Sequence, residues 1–192
     1  MKDVQLASGS TPVEVWAQDE CRLGLKPILR RVWTKCGERP IAPSQIRYEW
    51  TYVYGFVRPA TGETRWLILP HVSKECFEIA LERFAESVGA GKNKRIVLVL
   101  DGAGWHKSLS LHAPSGITMM FLPAYSPELQ PAEKLWPLLR ESVANRSFSS
   151  IEDIEDALEH RCLYLEKNEK LIQGHTLFHW WKTAENKPCC AA

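Results

Sequence analysis

Aspartate is scarce in this sequence: Asp3, Asp19, Asp101, Asp153 and Asp156 are the only five in 192 residues. Long apolar runs are missing too. None approaches the roughly 20 residues that a helical bilayer span requires. The opening stretch, MKDVQLASGSTPVEVW, lacks the apolar core of a secretory signal, so a cytoplasmic location is expected. Six cysteines occur, but none forms a C-x-x-C pair matched by a second pair or by closely spaced histidines. A structural zinc site is therefore not indicated, and most of the thiols are expected to be reduced core or tail residues. Repeats and low-complexity tracts are absent. Hydrophobic residues make up 45% and charged residues 24%, the composition of one globular domain of ordinary size.

Net charge is also small, +1, but it is unevenly spread. Residues 22–47 contain Arg22, Lys26, Arg30, Arg31, Lys35, Arg39 and Arg47 against the single acid Glu38. Residues 151–170 are acidic. A basic stretch of this kind suits a phosphate backbone. It equally suits a solvated face.

Patterning then gives the elements. Val13–Asp19 reads as a strand, Arg31–Thr34 as a second, Glu49–Val57 as an aromatic and β-branched third, and Thr64–Leu69 as its return. This is an antiparallel meander. Ser73 can cap a helix whose apolar positions run Phe77, Ala80, Leu81, Phe84, Ala85, Val88, with Gly89 closing it. Ile96–Leu100 is a continuous apolar run, the mark of a strand buried on both faces. A short helix near His106, a strand over Ile117–Phe121, and a helix opened by Pro131 and running to Ala144 follow, the last bent at Pro137. Ser149 and Glu152 form a capping-box pattern for a final helix to Lys167. The order predicts an α/β fold, a mixed β-sheet flanked by α-helices.

Two of the rare aspartates end hydrophobic strands, in VEVWAQD and IVLVLD. A carboxylate in that position is costly unless paired or metal-bound. Carboxylates converging at neighbouring strand ends make a hard oxygen site suited to Mg²⁺ or Mn²⁺. Asp101 before Gly102 could also be a simple cap. Glu133, in the first turn after Pro131, stands where the helix dipole favours any acid.

The strings around these acids carry more. WAQDECRLGL, VLVLDGAGWHKS and LPAYSPELQPAEKLW, in that order, resemble the DDE transposases of bacterial insertion sequences in the mariner-like superfamily. The match rests on Asp19 and Glu20, on Asp101 through His106, and on Tyr125, Ser126, Pro127, Pro131, Glu133 and Trp136. It spans residues 13 to 145. The spacing of 31 residues between Asp101 and Glu133 is slightly shorter than that of the family.

The resemblance implies an RNase H-like catalytic domain over residues 13–170, with 1–12 as a lead-in and 171–192 as a C-terminal tail. Asp19, Asp101 and Glu133 would converge on two divalent ions, Mg²⁺ or Mn²⁺, for cleavage and strand transfer of double-stranded DNA. Glu20 would point to the opposite sheet face in a supporting role. Arg30, Arg31 and Lys35 are the candidates for DNA backbone contacts, with His106 a candidate for DNA contact, site support or packing. Trp105, Tyr125 and Trp136 fit either core or base stacking, Trp136 better the core. Family members act as homodimers and carry helix-turn-helix domains, for which residues 1–12 leave no room. The chain is therefore expected to be the second frame of a split gene, a truncated remnant, or a part supplied with a separate helix-turn-helix DNA-binding polypeptide. The other readings are a different RNase H-like nuclease and a catalytically idle DNA-binding remnant.

Overall fold

The computed structural model describes residues 12–41, 45, 47–102, 112–123 and 126–181. Strand β1 (Val13–Gly24) is the longest element of the sheet. Strands β2 (Trp50–Arg58) and β3 (Glu63–Leu69) follow, then helix α1 (Lys74–Val88) and strands β4 (Arg95–Leu100) and β5 (Ile117–Phe121). Two 3₁₀ turns, Pro127–Leu129 and Pro131–Lys134, lead into helices α2 (Leu135–Arg140), α3 (Ile151–Glu166) and α4 (Glu169–Thr176). The sheet order is β3-β2-β1-β4-β5. The first three strands form the expected antiparallel meander, and β4 and β5 run parallel to β1.

Strand alternation sends alternate residues of the central strands to opposite faces. Val15, Ala17, Cys21 and Leu23 of β1, with Val53, Val57, Val97 and Val99, pack against α2, α3 and α4. Trp16, Tyr54, Phe56, Ile96, Leu98 and Leu100 pack against α1. There the Phe84 ring stacks on Phe56 at 4.3 Å and meets Trp16 edge-on at 5.0 Å. Helix α1 is bounded as its sequence dictates: the Ser73 side chain accepts from the Cys76 amide, and Gly89 (φ 67) ends it in the left-handed region.

The structure corrects several sequence expectations. Arg31–Thr34 forms no strand. It lies in an exposed connection between β1 and β2, and its alternation of charge and bulk has no ladder partner. The helix foreseen over Pro131–Ala144 is shorter and mixed, 3₁₀ through Lys134 and α through Arg140, then turns to Asn145 at φ 57. Two prolines within seven residues deprive that segment of amide donors. The last capping box is formed one residue later than expected. Ser150 Oγ accepts from the Asp153 amide while the Asp153 carboxylate accepts from the amides of Ser149 and Ser150. The helix expected near His106 lies outside the described residues.

Packing continues beyond residue 170. Ile172, Thr176 and Trp181 are fully buried, with Ile172 and Trp181 in the same core as α2 and α3. Gly62, in the β2–β3 turn (φ 84), lies so close to α4 that a Cβ there would sit 1.9 Å from the Glu169 carbonyl oxygen. Of the thiols, Cys21 and Cys162 are buried, Cys36 is exposed, and all are free among the described residues. Among the described residues no helix is long and apolar enough to cross a membrane.

Candidate active site

Asp19 belongs to the β1 alternation that includes Val15 and Ala17, so it faces the α2–α4 layer. Its cross-strand partner on β2 is Gly55. Strand β4 pairs with β1 as far as Ala17–Val99. Asp19 and Asp101 each stand two residues past that pair: Asp101 just beyond the end of β4, and Asp19 within β1, which does not stop there as its sequence suggested but runs on to Gly24 along β2. Both are partly buried. This is where the parallel pairing of β1 and β4 stops, on the carboxyl side of β4, the side of parallel strands on which ligand sites form most readily.

Glu133 approaches Asp19 from the other layer, near enough for its charge to act on that carboxyl. Its turn is pinned by buried Ala132 on one side and by buried Leu135 and Trp136 on the other, while Glu133 itself is exposed. A second tether lies just upstream. The Gln130 side chain, 2% exposed, donates from Nε2 to the Gln18 carbonyl at 2.9 Å. Gln18 is the residue next past the last β1–β4 pair, so this amide takes over where the ladder stops.

The electrostatics follow from this placement. Burial pushes the Asp19 carboxyl up to about 7, and the charges of Glu133 and Glu20 push the same way. The Trp136 indole N–H, donating to Asp19 Oδ2 at 2.7 Å, opposes the shift. On the same face Cys21 has its thiol raised by burial, with Arg140 opposing; Arg140 Nη2 lies 3.4 Å from Cys21 Sγ. A partly buried carboxylate with its charge raised in cost by burial and by neighbouring acids, as Asp19 is, gains from a divalent cation, and carboxylate oxygens are the donors Mg²⁺ and Mn²⁺ prefer. In chemical character the donor set fits the expected metal. Among the described residues, no three His, Cys, Asp or Glu side chains already stand together as a cation site.

Residues 14–155 match the DDE superfamily endonuclease family. The chain belongs to that family. A relative from Sinorhizobium fredii (strain NBRC 101917 / NGR234), the uncharacterized protein y4pE/y4sA, is 40% identical over 114 residues, which is 59% of this chain and 81% of the relative. Among solved structures the fold is similar to the Mos1 strand transfer complex, with TM-score 0.55 and 16% identity, covering 96% of this chain and 58% of that one. It is also similar to the Mos1 mariner paired end complex with Mn, with TM-score 0.57 and 16% identity, covering 91% and 56%. This chain thus spans little more than half the length of those proteins. The mixed sheet with helices on both faces is the RNase H-like fold expected from the sequence.

Within this DDE endonuclease domain the other sequence candidates are placed as follows. Glu20 pairs in register with Tyr54 on the α1 side of the sheet, and its carboxylate accepts from Gln18 Nε2 at 3.1 Å. Burial first, and Glu20 second, push the Tyr54 hydroxyl well above its ordinary range. Arg30, Arg31 and Lys35 are all exposed. Arg30 is nonetheless engaged: its guanidinium donates to the Pro137 carbonyl at 2.8 Å, and its backbone exchanges two bonds with the Asn145 side chain. Trp105, His106 and Tyr125 lie outside the described residues. Sequence reasoning placed Trp136 in the core, where it is, but missed its bond to Asp19. It also missed Gln130, whose only signal was a polar residue between two prolines.

Proposed function

We propose that this domain performs metal-dependent cleavage and strand transfer of double-stranded DNA, as the catalytic part of a transposase of a bacterial insertion sequence. The observation that carries the reading is the placement of Asp19 and Asp101 each two residues past the last pair of the parallel strands β1 and β4, with Glu133 near enough to act on Asp19 electrostatically. Asp19, Asp101 and Glu133 would hold two Mg²⁺ or Mn²⁺ ions. When bound, the ions supply Lewis acidity to the attacking and leaving oxygens of phosphodiester displacement. The attacking group would be water in cleavage and a 3′-hydroxyl in joining.

The remaining residues have supporting parts. The Gln130 amide and the buried Ala132, Leu135 and Trp136 side chains keep the Glu133 turn seated on β1. Glu20, on the far face, steadies β1 through Gln18. Arg31 and Lys35, with Arg30 and His106, would contact the backbones of element ends and target. A homodimer in the cytoplasm, supplied with a helix-turn-helix polypeptide for end recognition, would complete the machinery. The Mos1 likeness, to assemblies named for strand transfer and for a paired end with Mn, supports this reading.

Asp101→Asn tests it directly. The neutral amide is a poorer ligand for a hard cation. The variant should keep its circular dichroism spectrum but lose most Mg²⁺- or Mn²⁺-dependent nicking, by about 100-fold or more, the scale at which one essential electrostatic group acts. Equal nicking by wild type and variant on DNA bearing the element's ends would refute the assignment.

A further inference from the structure

We propose that Trp136 is a positioning residue: its indole N–H fixes the orientation in which Asp19 meets a divalent cation. The inference rests on the metal-binding reading of Asp19 given above.

Three observations carry it. First, the contact is short and specific. Nε1 of Trp136 donates to Oδ2 of Asp19 at 2.7 Å, from a side chain only 3% exposed. An indole N–H can donate but cannot accept a proton or ligate a cation. It can therefore hold one carboxylate oxygen without competing for the ion.

Second, the indole is braced by the sheet itself. Trp66, Gly55 and Asp19 form one cross-strand row over β3, β2 and β1. Gly55 leaves the space that the indole fills: a Cβ there would lie 2.8 Å from Cη2 of Trp136 and 3.2 Å from Leu135 and Trp66 side-chain atoms. Trp66 meets the indole edge-on, with ring centroids 6.3 Å apart. A tryptophan that served only to fill the core would account for the brace. It would not account for an N–H aimed at the Asp19 carboxylate.

Third, Trp136 follows Glu133 by three residues, one turn of the same segment. That segment brings one acid and one donor to bear on Asp19. The Glu133 carboxylate and the Asp19 carboxylate are thereby tied to a common support. Hydrogen-bonding partners of metal-binding carboxylates commonly change cation affinity or activity by 10–100-fold when removed.

The test uses the whole chain with Trp136→Phe, which keeps an aromatic ring and removes the N–H. A second variant carries 3-benzothienylalanine at position 136, with the indole's shape and sulfur in place of N–H. Asp19→Asn serves as the reference. Mn²⁺ binding is read by electron paramagnetic resonance titration, folding by thermal melting, and nicking as kcat and KM separately. Both position-136 variants should melt cooperatively, bind Mn²⁺ about 10-fold more weakly, and lose kcat with KM for DNA unchanged. If Asp19→Asn abolishes Mn²⁺ binding while the folded benzothienylalanine variant binds and cleaves like wild type, the positioning role is overturned and the site reading stands. If wild type binds no Mn²⁺ and Asp19→Asn changes nothing, the site reading falls and takes the positioning role with it.

Discussion

Glu14 shows how a single acid at the other end of β1 differs from Asp19. It accepts from Trp16 Nε1 at 3.0 Å and pairs with Lys94 at 2.9 Å and Arg58 at 3.2 Å. Burial raises its carboxyl, but the Lys94 and Trp16 hydrogen bonds and the Arg58 charge outweigh it, and the net shift is downward from 4.5. A depressed carboxyl stabilises the fold at pH above 4.5, and that contribution is lost as pH falls through the folded value. Glu14→Gln should therefore cost about 1–3 kcal/mol at pH 7, the range for removing one partner of a partly buried charged hydrogen bond. The difference from wild type should vanish in strong acid, as urea titrations at several pH values would show. An undiminished difference at low pH would contradict the ion-pair account. At this scale the sequence was informative about Asp19 and Asp101, because a charged residue closing an apolar run is conspicuous. It could not show the Trp136–Asp19 bond. That contact depends on β1 and β2 registering Asp19 opposite Gly55, and nothing in eight tryptophans marks which one finds a glycine to lie on.

Elements were legible where one physical signal dominated. Strands β2 to β5 and helix α1 follow from apolar periodicity and caps, and lie within a residue or two of expectation. The Arg31–Thr34 strand failed because strand pattern without a pairing partner is only an extended chain. The Pro131 helix was overextended because periodicity does not register how many amides prolines remove. Between these lies the turn that carries Glu133, held by Gln130 rather than by propensity. Gln130→Ala would leave the Gln18 carbonyl buried without its donor, at about 1–3 kcal/mol. Thermal melting should register that loss. Nicking should fall further than the destabilisation alone accounts for, since Glu133 is then less firmly seated. Unchanged nicking by a folded Gln130→Ala protein would show that the tether is dispensable to the site.

For the molecule as a whole, the basic connection between β1 and β2 is the surface proposed to meet a polyanion. Arg31 and Lys35 are exposed there, whereas Arg30 is occupied by the Pro137 carbonyl. Changing Arg31 and Lys35 together to Ala should flatten the salt dependence of DNA affinity by about two contacts' worth, without altering sequence preference. Titrations on element-end and scrambled DNA at several salt concentrations would show it. Arg30→Ala should act mainly on the anchoring of the loop to α2. An unaltered slope in the double variant would place the phosphate contacts elsewhere. The strand order has a further consequence, in time rather than space. Strands β1, β2 and β3 can zip up from near neighbours as the chain emerges, but β4 must join β1 across the whole intervening hairpin and α1, a closure that is intrinsically slower. Asp19 is therefore in place before Asp101 and Glu133 arrive from the second half of the chain. A half-synthesised polypeptide holds one acid of the three, and so, on the proposed function, a nascent chain would be harmless to DNA beside it until the second half of the chain had joined the sheet.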